Sequence, residues 1–146
     1  MAIKGAELHH HGIRIHPDAL DASLDFYHGV LGLDPDPGRP NIPSVPGFWM
    51  DLGNDTQIHM IGLDGVSPLA QDPEHDPAAP HVALGVPDLE AAKAELDESG
   101  TDYWVFSAGL GLEQVFMFDP SGNMVELHQK DQCRCRISER PPVEEG

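Results

Sequence analysis

Two stretches of the chain repeat the same order of hydrophobic and polar positions. Residues 10–15 and residues 81–86 each alternate in the way that is typical of a half-buried strand. Each stretch is followed by apolar residues at helical spacing. The helical stripes are Leu20, Leu24, Tyr27 and Leu31 in the first copy and Leu89, Ala92 and Leu96 in the second. Because an internal repeat sets the architecture, two copies of one strand–helix unit are predicted.

The ends of both helices carry the expected signals. Asp18 and Asp88 are predicted N-caps, and Gly32 and Gly100 are predicted C-terminal stops. Further strands are predicted at residues 48–52 and 56–61 in the first copy, at 113–118 and 124–128 in the second, and at 101–106 as an additional short strand there. Residues 34–46 hold five prolines and are predicted to be a loop.

These elements predict an α+β fold of two βαβββ-type repeats. The repeats are expected to pair into a curved mixed sheet that encloses a cleft, with the helices outside. A single domain is predicted over residues 1–146, with repeat one at about 7–66, a linker at about 67–79, repeat two at about 80–129 and a tail at 130–146.

Ionisable residues occupy matching positions inside the apolar strands of both copies. His10 and His81 begin the first strands, and His59 and Glu126 lie within the last ones. By strand alternation, each pair faces the same side of its sheet. A histidine or glutamate buried without a partner costs several kcal/mol, so a metal ion is expected. Three imidazoles and one carboxylate suit Fe, Zn, Ni, Co or Mn better than Mg or Ca.

Two interpretations of His59 stay open. It could be a fourth ligand, or it could face the substrate and leave His10, His81 and Glu126 as a two-histidine, one-carboxylate set typical of Fe(II). His128 shares the face of Glu126 and could support it. His9 and His11 are predicted to point away from the face of His10. Arg14, Trp49 and Phe116 are candidate substrate contacts.

The formal net charge of −17 argues against nucleic acid or anionic membranes as partners, since both require clustered Lys and Arg. No apolar run approaches the roughly 18 residues of a membrane span, and the N-terminus lacks a secretory apolar region, so a cytoplasmic protein is expected. Cys133 and Cys135 form an isolated C-x-C that indicates neither a zinc knuckle nor a disulfide.

Two strings carry a family resemblance. Residues 23–33 read S-L-x-F-Y-x-x-V-L-G-L, and residues 118–127 read F-D-P-x-G-N-x-x-E-L. Together with residues 8–15 and 80–88 they resemble the vicinal oxygen chelate superfamily of glyoxalases, bleomycin resistance proteins and dioxygenases, over about residues 7–129. The resemblance implies a divalent metal held by His10, His59, His81 and Glu126, a small-molecule substrate bound through vicinal oxygens, and a homodimer.

Three functions follow from the resemblance. The first is a glyoxalase-like lyase or isomerase acting on a carbonyl or enediolate, in which Glu126, the candidate catalytic residue, or a metal-bound water would move the proton. The second is an Fe(II)-dependent extradiol-type dioxygenase, although those relatives usually have four repeats. The third is a metal-free, ligand-sequestering resistance protein, whose relatives normally lack the ligand set. Position 59 departs from the glyoxalase pattern, which implies a carboxylate, and from the epimerase pattern, which implies glutamine. Gly12 stands where the fosfomycin-resistance pattern implies threonine.

Overall fold

The computed structural model describes residues 2–107 and 112–130. The strands are β1 (Glu7–Arg14), β2 (Asp34–Pro35), β3 (Gly47–Asp51), β4 (Gln57–Ile61), β5 (His81–Val86), β6 (Trp104–Ser107), β7 (Glu113–Phe118) and β8 (Met124–Gln129). The helical segments are a 3-10 turn (Pro17–Ala19), α1 (Leu20–Leu24), a π-helical segment (Asp25–Val30) and α2 (Leu89–Ser99). The order is strand, helix and three strands, twice, which confirms the predicted α+β class.

Strands β2, β3, β4 and β1 lie side by side in that order, and strands β5, β8, β7 and β6 do so in the second repeat; both sets are mixed. Two strand predictions need correction. The proline-rich loop contains the two-residue strand β2, which pairs antiparallel with β3. The additional strand of the second repeat, β6, begins at Trp104 rather than at Thr101. Cys133 and Cys135, and the predicted tail from Asp131 onward, lie outside the described residues.

Residue contacts divide the chain into two compact units. The first unit comprises residues 10–80, and the second comprises residues 2–9 with 81–107 and 112–130. In the first unit, β4 lies between β3, to which it is antiparallel, and β1, to which it is parallel. In the second unit, β8 lies in the same way between β7 and β5. The repeat seen in the sequence is therefore also a repeat of strand pairing.

The second unit holds a well-defined apolar core. Leu89, Ala92 and Leu96 of α2 are all buried, as the helical stripe predicts. They pack with Val86, Val115 and Leu127 from three strands. Burial of side chains of this size contributes about 1.5–3 kcal/mol each. The predicted caps are confirmed: the side chain of Asp88 accepts from the N–H of Ala91, and Gly100 has a φ of +70°.

The helical segment of the first unit begins differently from the prediction. Asp18 is not the N-cap; instead the Nδ1 of His16 accepts from the backbone N–H of Asp18, at 3.2 Å. The reason is Pro17, whose fixed φ suits the first position of a helix and makes the residue before it the cap. Gly32 ends the segment with a φ of +74°, as predicted.

A π-helical segment then alters the predicted stripe. The backbone N–H of Leu31 donates to the carbonyl of Phe26, five residues earlier, at 3.0 Å. Of the predicted stripe, Leu20, Leu24 and Tyr27 are partly buried, whereas Leu31, which follows the wider turn, is 52% exposed. Phe26 and Val30, which lie outside the stripe, are 48% and 71% exposed. No residue of the segment is fully buried.

A buried aspartate organises the segment between the repeats. Asp76 accepts hydrogen bonds from the N–H and hydroxyl of Ser67 and from the N–H of Ala78, and it pairs with the guanidinium of Arg14 at 3.3 Å. Arg14 also donates to the carbonyls of Ala78 and Leu63, at 2.7 and 2.8 Å. These bonds tie the inter-repeat segment to the end of β1. Among the described residues, no helix is both long and apolar enough to cross a membrane.

Asp76 is expected to make the free energy of unfolding depend on pH in the acid range. Burial raises the pKa of Asp76, but the hydrogen bonds from Ser67 and Ala78 and the charge of Arg14 outweigh it and hold this pKa below the ordinary 3.8. A carboxyl whose folded pKa is depressed stabilises the fold at pH values above its unfolded pKa. That contribution is lost as the pH falls through the folded pKa.

Replacing Asp76 with Asn should therefore lower the free energy of unfolding by about 2–4 kcal/mol near neutral pH and flatten its decline in acid. Urea unfolding of both proteins from neutral to acid pH measures this. Asp72→Asn is the matched control, because Asp72 is exposed and contacts only local groups such as His75, at 2.7 Å. Equal losses from the two substitutions would contradict the role given to Asp76.

Candidate metal centre

Strand register places the candidate residues of the first unit on one face. β1 and β4 are parallel, with His10 opposite Gln57 and Gly12 opposite His59. Paired residues of neighbouring strands share a face, so His10, Gln57 and His59 lie together, as the alternation predicts. All three are buried. Gly12, opposite His59, contributes no side chain to this face.

The imidazole of His59 is held in a stack of rings. Its ring lies 3.7 Å from that of His10, with 15° between the planes, and 4.5 Å from that of Trp49, with 12° between the planes. A metal ion binds a histidine in the plane of the ring. Two nearly parallel rings one above the other cannot both direct an in-plane lone pair at the same ion. The stack therefore opposes joint ligation by His10 and His59.

The edge of His59 is fixed by an amide network. The Nε2 of His59 lies 2.9 Å from the Oε1 of Gln57. The Nε2 of Gln57 in turn donates to carboxylate oxygens of Asp36 and Asp51, at 2.9 and 2.7 Å. Because ionised carboxylates only accept, the amide must turn its oxygen to His59, and the Nε2 of that ring must carry a proton. In this arrangement the Nε2 of His59 donates a hydrogen bond, and ligation of a metal by His59 stays a prediction.

In the second unit, a carboxylate lies between two imidazoles. Glu126 is 1% exposed. Its Oε1 lies 3.4 Å from the Nε2 of His81, and its Oε2 lies 3.0 Å from the Nδ1 of His128. β5 and β8 are parallel, with Ala83 opposite Glu126, so this pairing repeats that of Gly12 and His59. Both imidazoles are buried, which strengthens their interaction with the carboxylate.

The surroundings of His9 add to the sequence analysis, which predicts only that it points away from the face of His10. In the structure His9 is only 4% exposed, and its ring meets that of His128 edge-on, with centroids 4.1 Å apart. Two consecutive buried histidines break the strict alternation of β1. The sequence contains a signal for this, the run of three histidines at positions 9–11, but the run does not say which ones are buried.

Three buried residues are candidate metal ligands: His10 in the first unit, and His81 and Glu126 in the second. Within the second unit, the Oε1 of Glu126 lies 3.4 Å from the Nε2 of His81. Two imidazoles and a carboxylate suit the divalent ions of the first transition series. Ligation by His59, which is stacked and hydrogen-bonded to Gln57, stays a prediction.

The candidate substrate residues occupy different surroundings. Arg14 is engaged by Asp76 and by two backbone carbonyls, so all of its guanidinium nitrogens already have partners. Trp49 stacks on His59, and the guanidinium of Arg39 lies 5.9 Å from its ring centroid. Burial lowers the pKa of Arg39. Phe116 is fully buried, stacks on Trp104 and meets the ring of His81 edge-on at 6.0 Å. Their contacts with substrate stay predictions.

Comparison with known proteins agrees with this architecture. The family model of the Glyoxalase/Bleomycin resistance protein/Dioxygenase superfamily matches residues 8–127. A curated relative, glyoxylase I 4 of Arabidopsis thaliana, is 28% identical over 120 residues, which make up 80% of this chain. The chain spans 65% of the length of that relative.

Solved structures with the same fold come from proteins of different activities. Methylmalonyl-CoA epimerase from Mycobacterium tuberculosis has a TM-score of 0.63 at 22% identity, covering 84% of this chain and 86% of its own. The 2,3-dioxygenase LapB from Pseudomonas sp. KL28 has a TM-score of 0.64 at 19% identity, covering 99% of this chain and 46% of its own. At such identities the likeness concerns the fold alone.

The amide network predicts a cost for removing Gln57. Gln57→Met keeps the length of the side chain but removes the donor shared by Asp36 and Asp51 and the acceptor for His59. We expect the free energy of unfolding to fall by about 2–4 kcal/mol, because the buried Asp36 and the partly buried Asp51 both lose a hydrogen-bond donor. Urea denaturation measures the change. The same substitution at the partly exposed Gln114 of β7 is the control, and a loss at Gln57 no larger than at Gln114 would contradict the network.

Proposed function

Because the chain belongs to the glyoxalase/bleomycin resistance protein/dioxygenase superfamily, we propose that it is a metal-dependent lyase or isomerase of the glyoxalase type. Its substrate would be a small, oxygen-rich molecule with a carbonyl or enediolate group. The observation that carries the proposal is the buried pair of His81 and Glu126, with the Oε1 of Glu126 3.4 Å from the Nε2 of His81. His10, a buried histidine of the first unit, is the proposed third ligand.

The donor set fits a resident divalent ion. Two neutral imidazoles and one carboxylate leave one positive charge on a divalent cation, which favours binding of an anionic or polarised oxygen. Such an ion, when bound, acts as a Lewis acid towards a carbonyl oxygen. Three protein ligands also leave positions for a substrate that offers two neighbouring oxygens.

The chain's own residues would hold the substrate and move its proton. Glu126 is the carboxylate proposed to carry that proton, and its Oε2 is held by His128 at 3.0 Å. Trp49 is only partly buried and offers apolar ring surface, and its stack on His59 keeps both rings rigid. Phe116 is fully buried and meets the His81 ring edge-on at 6.0 Å. Glu126 is almost fully buried, so competing water is scarce where the proton would move.

Metal content is the first test of this function. Untagged protein purified without chelators should contain about one Zn, Ni, Co, Mn or Fe per chain, and Glu126→Ala should lose it. His59→Ala should keep the metal, because that ring lies outside the proposed ligand group. Elemental analysis measures all three proteins. Wild-type protein that stays metal-free after incubation with Zn²⁺, Ni²⁺ and Fe²⁺ would overturn the proposal and favour a ligand-sequestering protein.

One observation favours a second candidate function, an Fe(II)-dependent extradiol-type dioxygenase. With His59 outside the ligand group, the remaining two histidines and one carboxylate match the donor set of non-haem Fe(II) oxygenases. A group of three ligands serves both candidates, so metal identity and oxygen dependence distinguish them. The homodimer implied by the resemblance stays a prediction.

Oxygen uptake separates the two chemistries. The protein is loaded with Fe²⁺ under argon and then transferred to aerated buffer. If the dioxygenase candidate is right, adding a catechol should start oxygen consumption. Protein loaded with Zn²⁺, Ni²⁺ or Co²⁺ should instead convert an adduct of a dicarbonyl and a thiol if the lyase candidate is right. Activity that persists in air with any of these three ions would rule out the dioxygenase.

A further inference from the structure

We propose that His128 is a positioning residue: its Nδ1–H holds the Glu126 carboxylate in the orientation that a metal ion requires, and His9 holds the His128 ring. This inference rests on the proposed function, since it concerns how strongly the metal is bound. It assigns a role to two histidines outside the proposed ligand group of His10, His81 and Glu126.

The first step is the state of the carboxylate. Glu126 is 1% exposed, so its two oxygens depend on protein partners for the hydrogen bonds that water would otherwise supply. The contact of its Oε2 with the Nδ1 of His128 is 3.0 Å, within the range of a good hydrogen bond. An ionised carboxylate only accepts, so the proton of this bond belongs to the Nδ1 of His128. The bond fixes one oxygen and thereby sets the direction of the other, Oε1.

The direction of the Oε1 of Glu126 matters because this is the oxygen available to a metal ion. Oε1 of Glu126 lies on the side of His81, 3.4 Å from the Nε2 of that ring. These two atoms belong to residues of the candidate ligand group. A carboxylate that rotated about its terminal bond would lose this arrangement. Residues that hydrogen-bond a ligating carboxylate typically change metal affinity by 10–100-fold when they are removed.

The second step is the His128 ring itself. It is buried, and the ring of His9 meets it edge-on at 4.1 Å and 84°. On the neighbouring strand, Gly85 lies directly opposite His128. A Cβ atom at Gly85 would lie 3.7 Å from the Nε2 of His128, in ordinary contact, and any longer side chain there would press on the ring. Space and contact together restrict the ring to the orientation that serves Glu126.

The other repeat supplies an internal comparison. Ile61 holds the position on β4 that His128 holds on β8, two residues after the matching site residue. An aliphatic side chain therefore satisfies the fold at this place, and nothing about the strand pairing demands histidine. The imidazole occurs only in the repeat whose matching site residue is a carboxylate. This difference points to a role in the site rather than in the sheet.

The experiment measures the affinity of the metal-free chain for Zn²⁺ by competition with a chromophoric chelator. His128→Leu should weaken binding by about 10–100-fold, because Oε2 of Glu126 loses its donor. His128→Asn should retain most of the affinity, since its amide nitrogen can take the place of Nδ1. His9→Leu should cause a smaller loss. Far-ultraviolet circular dichroism and thermal unfolding check that each variant is folded.

His75→Asn is the matched control, because its Nδ1 contacts the carboxylate of Asp72 at 2.7 Å in an exposed pair. It should leave Zn²⁺ affinity unchanged. If wild-type protein binds no metal, the proposed function and this inference both fail. If the wild type binds one Zn²⁺ and His128→Leu binds it as tightly, only the inference fails. The Co²⁺ visible spectrum adds a readout, since a reoriented carboxylate changes the ligand geometry that the bands report.

Discussion

The parallel pairing of the first and last strands of each repeat is the constraint on which the rest of the structure depends. It sets Gly12 opposite His59 in one repeat and Ala83 opposite Glu126 in the other. In both cases a small residue faces a long polar one, so the polar side chain has room to extend. Since paired residues share a face, the histidine two positions earlier on the first strand lies on that face too. A slip of one residue in either pairing would remove the ionisable groups from their common side.

Burial of these polar groups requires partners, and the two repeats supply them in different ways. In the first, Gln57 links His59 to two aspartates, and aromatic rings stack on both sides of the imidazole. In the second, Glu126 is bracketed by two imidazoles. The first arrangement fixes the His59 ring through hydrogen bonds. The second places the Glu126 carboxylate in a buried position that favours binding of a cation. The symmetric scaffold therefore supports an asymmetric site.

Much of this could be predicted from the sequence because it follows from periodicity. Alternation identified the shared faces of β1, β4, β5 and β8, and helical spacing identified the buried stripe of α2. The π-helical segment could not be predicted, since no residue type in Asp25–Val30 specifically favours a backbone hydrogen bond between residues five apart. The burial of His9 was missed because alternation assumes a regular strand. The sequence analysis did not identify the role of Gln57. That role depends on hydrogen bonds to Asp36 and Asp51, and the alternation pattern of one strand does not predict contacts with residues elsewhere in the chain.

The stacked rings include both tryptophans of the chain, whose fluorescence reports on their surroundings. Trp49 belongs to the first unit and stacks on His59, and Trp104 belongs to the second and stacks on Phe116. Each indole thus rests on a ring that itself contacts a candidate ligand, His10 in one case and His81 in the other. A chain retaining only one of them would emit from one unit alone. Loss of order in either half of the molecule could then be followed by its own fluorescence, without any label.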